Sequence, residues 1–249
     1  MSLSPVKMEN MSAVPLWQRW LSPQQLVRDK ERAGEIRILD TKRFVEEITD
    51  IYAGKQTKSE QRAALLCLSK ARLSEGREAL KAGLARDRDG AVYVGAHAIL
   101  IDRIIGGLVT AAENYVFATK ARFALMAVGG YGRGELAPLS DIDLLFVMPQ
   151  RHKKTDEAFV EFILYLLWDL GLMVGHASRT VHQNITAASE DITIRTSLLE
   201  MRSIAGAAAV SEQMLSTFKH WVANQPAGYF LEAKLKERDQ RHARFGGTR

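Results

Sequence analysis

The chain has 249 residues, of which 47% are hydrophobic and 25% are charged, and its formal net charge is +5. These values are typical of a soluble globular protein built as one large domain or two small ones. The mild excess of basic residues suits a ligand that bears phosphate. Aromatic residues make up only 8% of the chain and do not alternate with basic ones. That pattern argues against a stacking surface for single strands, and we expect no DNA or RNA partner.

Cysteine usage and hydropathy indicate a cytoplasmic protein. The single cysteine, Cys67, excludes an internal disulfide and a thiolate metal cluster, and its apolar neighbours predict a buried side chain. The longest apolar stretches fall short of the roughly 20 residues that span a bilayer. The N-terminus lacks the charged and apolar segments of a secretory signal. We therefore expect no membrane partner and a reducing, cytoplasmic setting.

The first half of the chain is predicted to be helical. Residues 1–24 show little periodicity, so we expect an irregular N-terminal tail with a docking patch at Leu16, Trp17 and Trp20. Residues 25–120 form a predicted N-terminal helical region. Apolar residues recur there at helical spacing in three segments, 41–52, about 57–87 and 92–119.

The second half combines strands with helices. The pattern predicts strands at 122–128, 142–148 and 172–180, a buried helix at 155–171, and helices at 182–188, 191–201, 208–222 and from Pro226 onward. This order predicts an α+β fold with a small mixed β-sheet, an N-terminal helical layer and C-terminal helices. We assign residues 121–205 to a core that contains the sheet and residues 206–249 to a C-terminal helical region.

Two aspartates lie where the second predicted strand begins. In a strand, residues i and i+2 point to the same face with Cα atoms about 6.5–7 Å apart, so Asp141 and Asp143 present their carboxylates side by side. Adjacent carboxylates repel each other unless a cation lies between them. Mg²⁺ is usually bound by one or two carboxylates together with substrate phosphates. The pair therefore predicts a Mg²⁺ site, and two such ions can organise an in-line displacement at phosphorus.

The residues between the two strands suit a phosphate group. Gly129 and Gly130 precede a short helix, and without side chains their backbone can approach a phosphate closely. Ser140 can donate a hydrogen bond to the same triphosphate, and Arg133 can neutralise charge on a leaving pyrophosphate. No Gly-Lys-Ser/Thr follows the glycines, and the following helix is short and interrupted by proline. The segment is therefore neither a P-loop nor a dinucleotide-binding fingerprint.

This central segment, GGYGRGELAPLSDIDLLF, resembles the DNA polymerase β-type nucleotidyltransferase superfamily, in which a strand, a glycine pair, a helix and a strand with Asp-x-Asp follow one another. The longer string is similar to the N-terminal nucleotidyltransferase domain of bacterial PII uridylyltransferase/uridylyl-removing enzymes. Further similar segments are YLLWDLGLMVGHASRT, DITIRTSLLEMRSIAG and AKLKERDQRHARFGGTR. The resemblance extends over about residues 91–249 and identifies 121–205 as a nucleotidyltransferase core.

The resemblance implies an activity and a set of ligands. The activity is transfer of UMP from UTP to a tyrosine hydroxyl of the trimeric PII nitrogen-regulatory protein, with Mg²⁺ and release of pyrophosphate. Asp141 and Asp143 would be catalytic and hold the metals. Gly129, Gly130 and Ser140 would cradle the triphosphate.

A third carboxylate is typical of the superfamily on the strand after the Asp-x-Asp strand. Here that strand, MVGHASRT, carries no acid, and its polar candidates are His176 and Arg179, of which we assign Arg179 to nucleotide binding. Asp191 is the nearest later acid. We expect it to be either a third catalytic carboxylate or the N-cap of the helix that follows it.

The resemblance also bears on the extent of the chain and on its substrate. Members of the family continue into an HD domain that removes UMP and two ACT domains that sense glutamine. Because the sequence ends at Arg249, we expect a truncated chain whose residues 206–249 begin a substrate domain, with glutamine as an effector only if the missing domains were present. The alternatives are an adenylyltransferase acting on a protein or small molecule, because the aspartates do not select the base, and a non-catalytic nucleotide-binding remnant.

Overall fold

The computed structural model describes residues 23–32 and 36–244, and within them lie ten α-helices, one π-helical turn and four β-strands. The N-terminal elements are α1 (Pro23–Arg32), α2 (Thr41–Ala53), α3 (Lys58–Asp87), α4 (Gly90–Ala111) and the π-helical turn (Ala112–Val116). The others are β1 (Ala124–Ala127), α5 (Gly129–Gly132), β2 (Ile142–Met148), α6 (Lys154–Asp169), β3 (Val174–Thr180), α7 (Val181–Glu190), α8 (Ile192–Leu199), β4 (Arg202–Gly206), α9 (Ala208–Ala223) and α10 (Ala227–Arg244). The predicted α+β fold class is confirmed.

The four strands form one mixed sheet in the order β3-β2-β1-β4. Strand β1 pairs antiparallel with both β2 and β4, and β2 pairs parallel with β3. Strand β2 has the bounds that its apolar run predicts. Strand β4 was not predicted, because its five residues lie between two helices and are extended only through pairing with β1.

Strand β2 is buried on both faces of the sheet. Leu144 and Phe146 pack with the large core that includes α4 and α6, while Leu145 and Val147 pack with a smaller core that includes α9. Asp143 is the exception, because its side chain is exposed at the start of the strand. The two carboxylates therefore lie at the N-terminal end of a firmly packed inner strand.

Helix α4 forms the centre of the helical layer and packs against α1, α2 and α3. A Cβ atom at Gly107 would collide with the ring of Phe44, so glycine permits α2 to approach closely. Together with the π-helical turn, α4 gives a helix of 27 residues, Gly90–Val116, that contains an 18-residue window with a mean hydropathy of 1.6. The prediction that no stretch reaches membrane-spanning length was wrong. The most apolar window of this helix is 78% buried inside the protein, which explains its composition.

Other expectations for the first half had different outcomes. Helix α1 was not predicted. Cys67 is exposed rather than buried, because α3 turns Leu65 and Ser69 inward and Cys67 lies between them on the opposite face. The docking patch at Leu16, Trp17 and Trp20 lies outside the described residues. The domain boundaries stay predictions.

Candidate nucleotidyltransferase site

A glycine loop connects β1 to β2 and opens directly onto Asp143. Gly129 has φ +60°, a left-handed conformation that favours glycine. A Cβ atom at Gly129 would lie 3.2 Å from Oδ2 of Asp143, and the backbone N–H of Val128 donates to the Asp143 carbonyl at 3.1 Å. The predicted glycine pair thus begins the four-residue helix α5. The first N–H groups of a helix have no partner within it and are free to bind an anion.

The two predicted carboxylates lie side by side as strand geometry requires. Ile142 and Leu144 are 2% and 1% exposed on the core side, whereas Asp141 and Asp143 are exposed on the other. Partial burial raises the pKa of Asp143 above its ordinary value of 3.8, and the charge of Asp141 raises it further. Within residues 23–32 and 36–244, neither carboxylate has a hydrogen-bond or ion-pair partner. Such a pair fits a hard divalent cation that completes its shell with phosphate oxygens and water.

Strand β3 places a glycine, and no carboxylate, beside Asp143. In the parallel register, Asp143 pairs with Gly175, and a Cβ atom at Gly175 would lie 2.7 Å from Oδ1 of Asp143. Any side chain there would collide with the carboxylate. His176 points to the opposite face, where its ring lies 6.0 Å from that of Trp168. Among the described residues, no group of three or more His, Cys, Asp or Glu could hold a metal.

A pocket of about 330 Å³ adjoins Asp143, between β3 and α8. Arg179 lines one side, and Thr193 and Ser197 line the α8 side. These two residues are four apart and therefore share a helix face. The Ser197 hydroxyl also lies 3.8 Å from the position of a Cβ atom at Gly129. Sequence reasoning missed both hydroxyls, although a polar pair at this spacing in an apolar segment was a usable signal.

The two predicted phosphate-binding arginines differ in their surroundings. Arg133 pairs with Glu200 at 2.6 Å and with Glu135 at 2.9 Å, and the hydrogen bond that Arg133 donates to Glu200 contributes most to raising the pKa of Arg133. Arg179 is half-buried in the pocket and has no ion pair within the described part of the chain. Arg179 is therefore the cation that is free to meet a phosphate.

Asp191 caps helix α8. Its Oδ1 atom accepts the backbone N–H groups of Thr193 at 2.6 Å and Ile194 at 3.3 Å. These hydrogen bonds lower the pKa of Asp191, and Arg179 adds a smaller effect of the same sign. The N-cap alternative is thus confirmed, and a catalytic role for Asp191 stays a prediction. Ser140 is exposed next to Asp141, and its backbone N–H closes a turn with Ala137.

A partly buried polar cluster holds the glycine loop from behind. The Tyr131 hydroxyl donates to Asp102 on α4 at 2.7 Å, and Arg202 donates two hydrogen bonds to the same carboxylate at 2.7 and 3.1 Å. Arg202 also donates to the Tyr131 carbonyl at 3.2 Å. Burial, together with the charge of Asp102, raises the pKa of Tyr131 well above its usual range. The cluster, which sequence reasoning missed, joins α4, α5 and β4.

Comparison with known protein families agrees with this geometry. Residues 117–185 match the family model described as "Nucleotidyltransferase domain". Residues 117–185 form a nucleotidyltransferase domain. It contains the glycine loop, both carboxylates and Arg179. The matched range does not include the pocket residues of α8, the N-cap Asp191, or Asp102 and Arg202 of the polar cluster.

Curated relatives extend the likeness beyond the nucleotidyltransferase domain. The chain is 40% identical over 231 residues to a bifunctional uridylyltransferase/uridylyl-removing enzyme of Nitrobacter hamburgensis, covering 90% of this chain and 25% of the relative. Proteins of the same name from Phenylobacterium zucineum and Rhodopseudomonas palustris are each 42% identical, over 80% and 84% of this chain and 21% and 23% of the relatives. The chain thus spans about a quarter of the length of these relatives.

Proposed function

We propose that the chain is a protein uridylyltransferase that transfers UMP from UTP to a tyrosine hydroxyl of the PII signalling protein, with Mg²⁺ and release of pyrophosphate. The observation that carries the proposal is the contact between the glycine loop and the carboxylate pair, where Gly129 adjoins the Asp143 carboxylate. The names of the relatives support the nucleotide and the type of transfer. The acceptor follows from the resemblance of the central segment.

The residues present fit a divalent cation, because two carboxylates without polar partners in the described part of the chain repel each other at the N-terminal end of β2. Asp141 and Asp143 would hold Mg²⁺. When bound, the ion neutralises charge on the triphosphate and on the leaving pyrophosphate. The backbone N–H groups after Val128 donate hydrogen bonds to phosphate oxygens, and Arg179 neutralises a further negative charge. Thr193 and Ser197 offer hydroxyls to the nucleoside in the adjoining pocket.

The reaction exchanges a phosphoanhydride bond of UTP for a phosphodiester bond to the tyrosine. The tyrosine oxygen attacks the α-phosphorus and forms a new O–P bond. The bond between the α-phosphorus and the bridging oxygen breaks, and pyrophosphate leaves with its electron pair. The phenolic proton passes to solvent. The protein contributes position and charge, since the glycine loop and the carboxylates are fixed on neighbouring strands before substrate arrives.

A labelling experiment tests the proposal. The chain is incubated with Mg²⁺, PII protein and either UTP or ATP that carries the label at the α-phosphate. Label from UTP on PII is the expected result. Label from ATP alone would instead identify an adenylyltransferase, and label from UTP on a different acceptor would identify a nucleotidyltransferase that does not act on PII. Binding of nucleotide without any transfer would identify a non-catalytic nucleotide-binding module.

A further inference from the structure

An exposed leucine occupies a turn position that disfavours it. The backbone N–H of Ser140 donates to the Ala137 carbonyl at 3.2 Å, and Leu139 between them has φ +64°. Pro138 precedes it, and proline holds φ negative, so the turn is of type II with Leu139 at the third position. That position favours glycine or asparagine, because a Cβ atom crowds the backbone there.

Packing gives no reason for this leucine. Its side chain is 88% exposed, the largest exposed fraction of any large hydrophobic residue within the described ranges. The same loop uses glycine where it needs a positive φ elsewhere, at Gly134 with φ +78°. Backbone strain that neither packing nor the turn explains is concentrated at functional sites. Leu139 lies close to the carboxylate pair, because Asp141 follows two residues later.

A second exposed apolar residue lies on the other side of Asp141. Ile142 pairs with Val174, and the Ile142 N–H donates to the Met173 carbonyl at 2.8 Å. Continued by one residue, this register places Met173 beside Asp141. Met173 is 52% exposed. The two residues thus flank the outer carboxylate, and we refer to Leu139 and Met173 as the apolar rim.

We propose that the apolar rim binds the segment of the acceptor protein that carries the hydroxyl to be modified; this inference rests on the proposed function. The acceptor oxygen must come within about 3–3.5 Å of the α-phosphorus. The glycine loop closes one side of the site, and β3 with α8 forms the nucleotide pocket on another. The acceptor therefore enters over the N-terminal end of β2, at Asp141. An aromatic acceptor ring can cover the apolar rim with its faces while its hydroxyl points toward the carboxylates.

Substitution of Leu139 separates acceptor binding from the rest of the reaction. Leu139→Asn and Leu139→Gly both suit the left-handed turn, so each should fold with an unchanged or raised Tm. We expect both to raise the KM for PII roughly tenfold to a hundredfold, the range that burial of one leucine side chain contributes. The KM for UTP and kcat at saturating PII should stay unchanged. Met173→Gln should act in the same direction. Tyr165→Asn, at a tyrosine that is 55% exposed on α6, is the control and should leave the KM for PII unchanged.

A binding measurement tests the apolar rim without relying on catalysis. The affinity for PII is measured by titration calorimetry with Mg²⁺ and a UTP analogue whose α–β bridge is methylene. Weaker binding by Leu139→Asn than by the wild type supports the rim even if no transfer is detected, which would refute only the proposed function. An unchanged KM and affinity for PII in Leu139→Asn would overturn the rim while leaving the transferase intact. Failure of the wild type both to bind PII and to modify it would refute both proposals.

Discussion

The two walls of the site are held in opposite ways. The glycine loop is fixed from behind by Tyr131, which is 1% exposed and hydrogen-bonded to Asp102 on α4. The facing carboxylates of Asp141 and Asp143 are exposed, repel each other and have no polar partner among the described residues. One wall is therefore complete in the free protein, whereas the other lacks a counter-charge that the substrate complex would supply.

This difference separates stability from activity. A fixed backbone cradle needs no rearrangement when charge develops in the reaction, which is the general basis of electrostatic stabilisation by enzymes. The carboxylate wall has the opposite character, because unpaired like charges do not stabilise the fold. Substitutions on the carboxylate side should remove activity without unfolding, and those behind the glycine loop should lower both.

The largest expected effect is on the carboxylate side. Asp143→Asn should lower the rate of UMP transfer about a thousandfold or more, because it removes a proposed ligand of Mg²⁺, an ion that would supply several kcal/mol of charge stabilisation. Label transfer to PII measures the rate, and the Tm should not fall. Asp50→Asn, at an exposed aspartate on α2, is the control and should be fully active. Retained transfer in Asp143→Asn would show that the metal assignment is wrong.

Next in size is the cluster behind the glycine loop. Asp102→Ala leaves Arg202 and the Tyr131 hydroxyl without their shared acceptor, so the free energy of unfolding should fall by about 3 kcal/mol. The KM for UTP should rise as well, because the loop loses its support. Chemical denaturation and steady-state kinetics measure the two effects.

An exposed ion pair provides the control for this prediction. Asp169 pairs with Arg62 at 2.7 Å, with both side chains more than 40% exposed. Asp169→Ala should therefore cost less than about 1 kcal/mol of unfolding free energy. Equal destabilisation by Asp102→Ala and Asp169→Ala would show that the polar cluster behind the glycine loop does not stabilise the fold more than an exposed ion pair does.

A smaller effect distinguishes the two arginines. Arg179→Ala should raise the KM for UTP about tenfold or more, since a charge-assisted hydrogen bond to phosphate is removed. Arg133→Ala should change it less, because that guanidinium is already engaged by Glu200 and Glu135. UTP titrations at fixed Mg²⁺ give both values. A larger effect at Arg133 than at Arg179 would mean that the ion pairs of Arg133 open when nucleotide binds.

The smallest effect is the dependence of stability on pH. The folded protein raises the pKa of Asp143 above 3.8, so above that pH the folded state retains more protons than the unfolded state and stability falls as pH rises. Asp143→Asn lacks this loss. With a chelator present, the variant should equal the wild type in stability below pH 3.8 and be the more stable of the two at neutral pH. If the wild type were more stable than Asp143→Asn at neutral pH, this would contradict repulsion between Asp141 and Asp143.

Sequence reasoning found the parts of the site that local geometry determines. The Asp-x-Asp pair follows from the two-residue period of a strand, and the glycine pair follows from the close approach that phosphate needs. Both require only neighbouring residues. The bounds of β2 were predicted for the same reason, since a continuous apolar run, Leu144 to Met148, follows the Asp-x-Asp pair.

The parts that were missed depend on residues far apart in the chain. Asp102 and Arg202 are 100 residues apart, and nothing near either of them signals the other. Strand β4 exists through its pairing with β1, and Gly175 is required only because Asp143 lies opposite. The exposure of Cys67 depends on which face of α3 meets α4. Tertiary packing, rather than local preference, decides all four.

The most direct test of the two-wall site uses UTP labelled in parallel at the α- and γ-phosphates, with Mg²⁺ and PII protein. The account predicts that the α-label becomes attached to PII while the γ-label is recovered in pyrophosphate, and that a chelator or Asp143→Asn abolishes both. Attachment of the γ-label to PII, or transfer of the α-label that continues in Asp143→Asn, would contradict it.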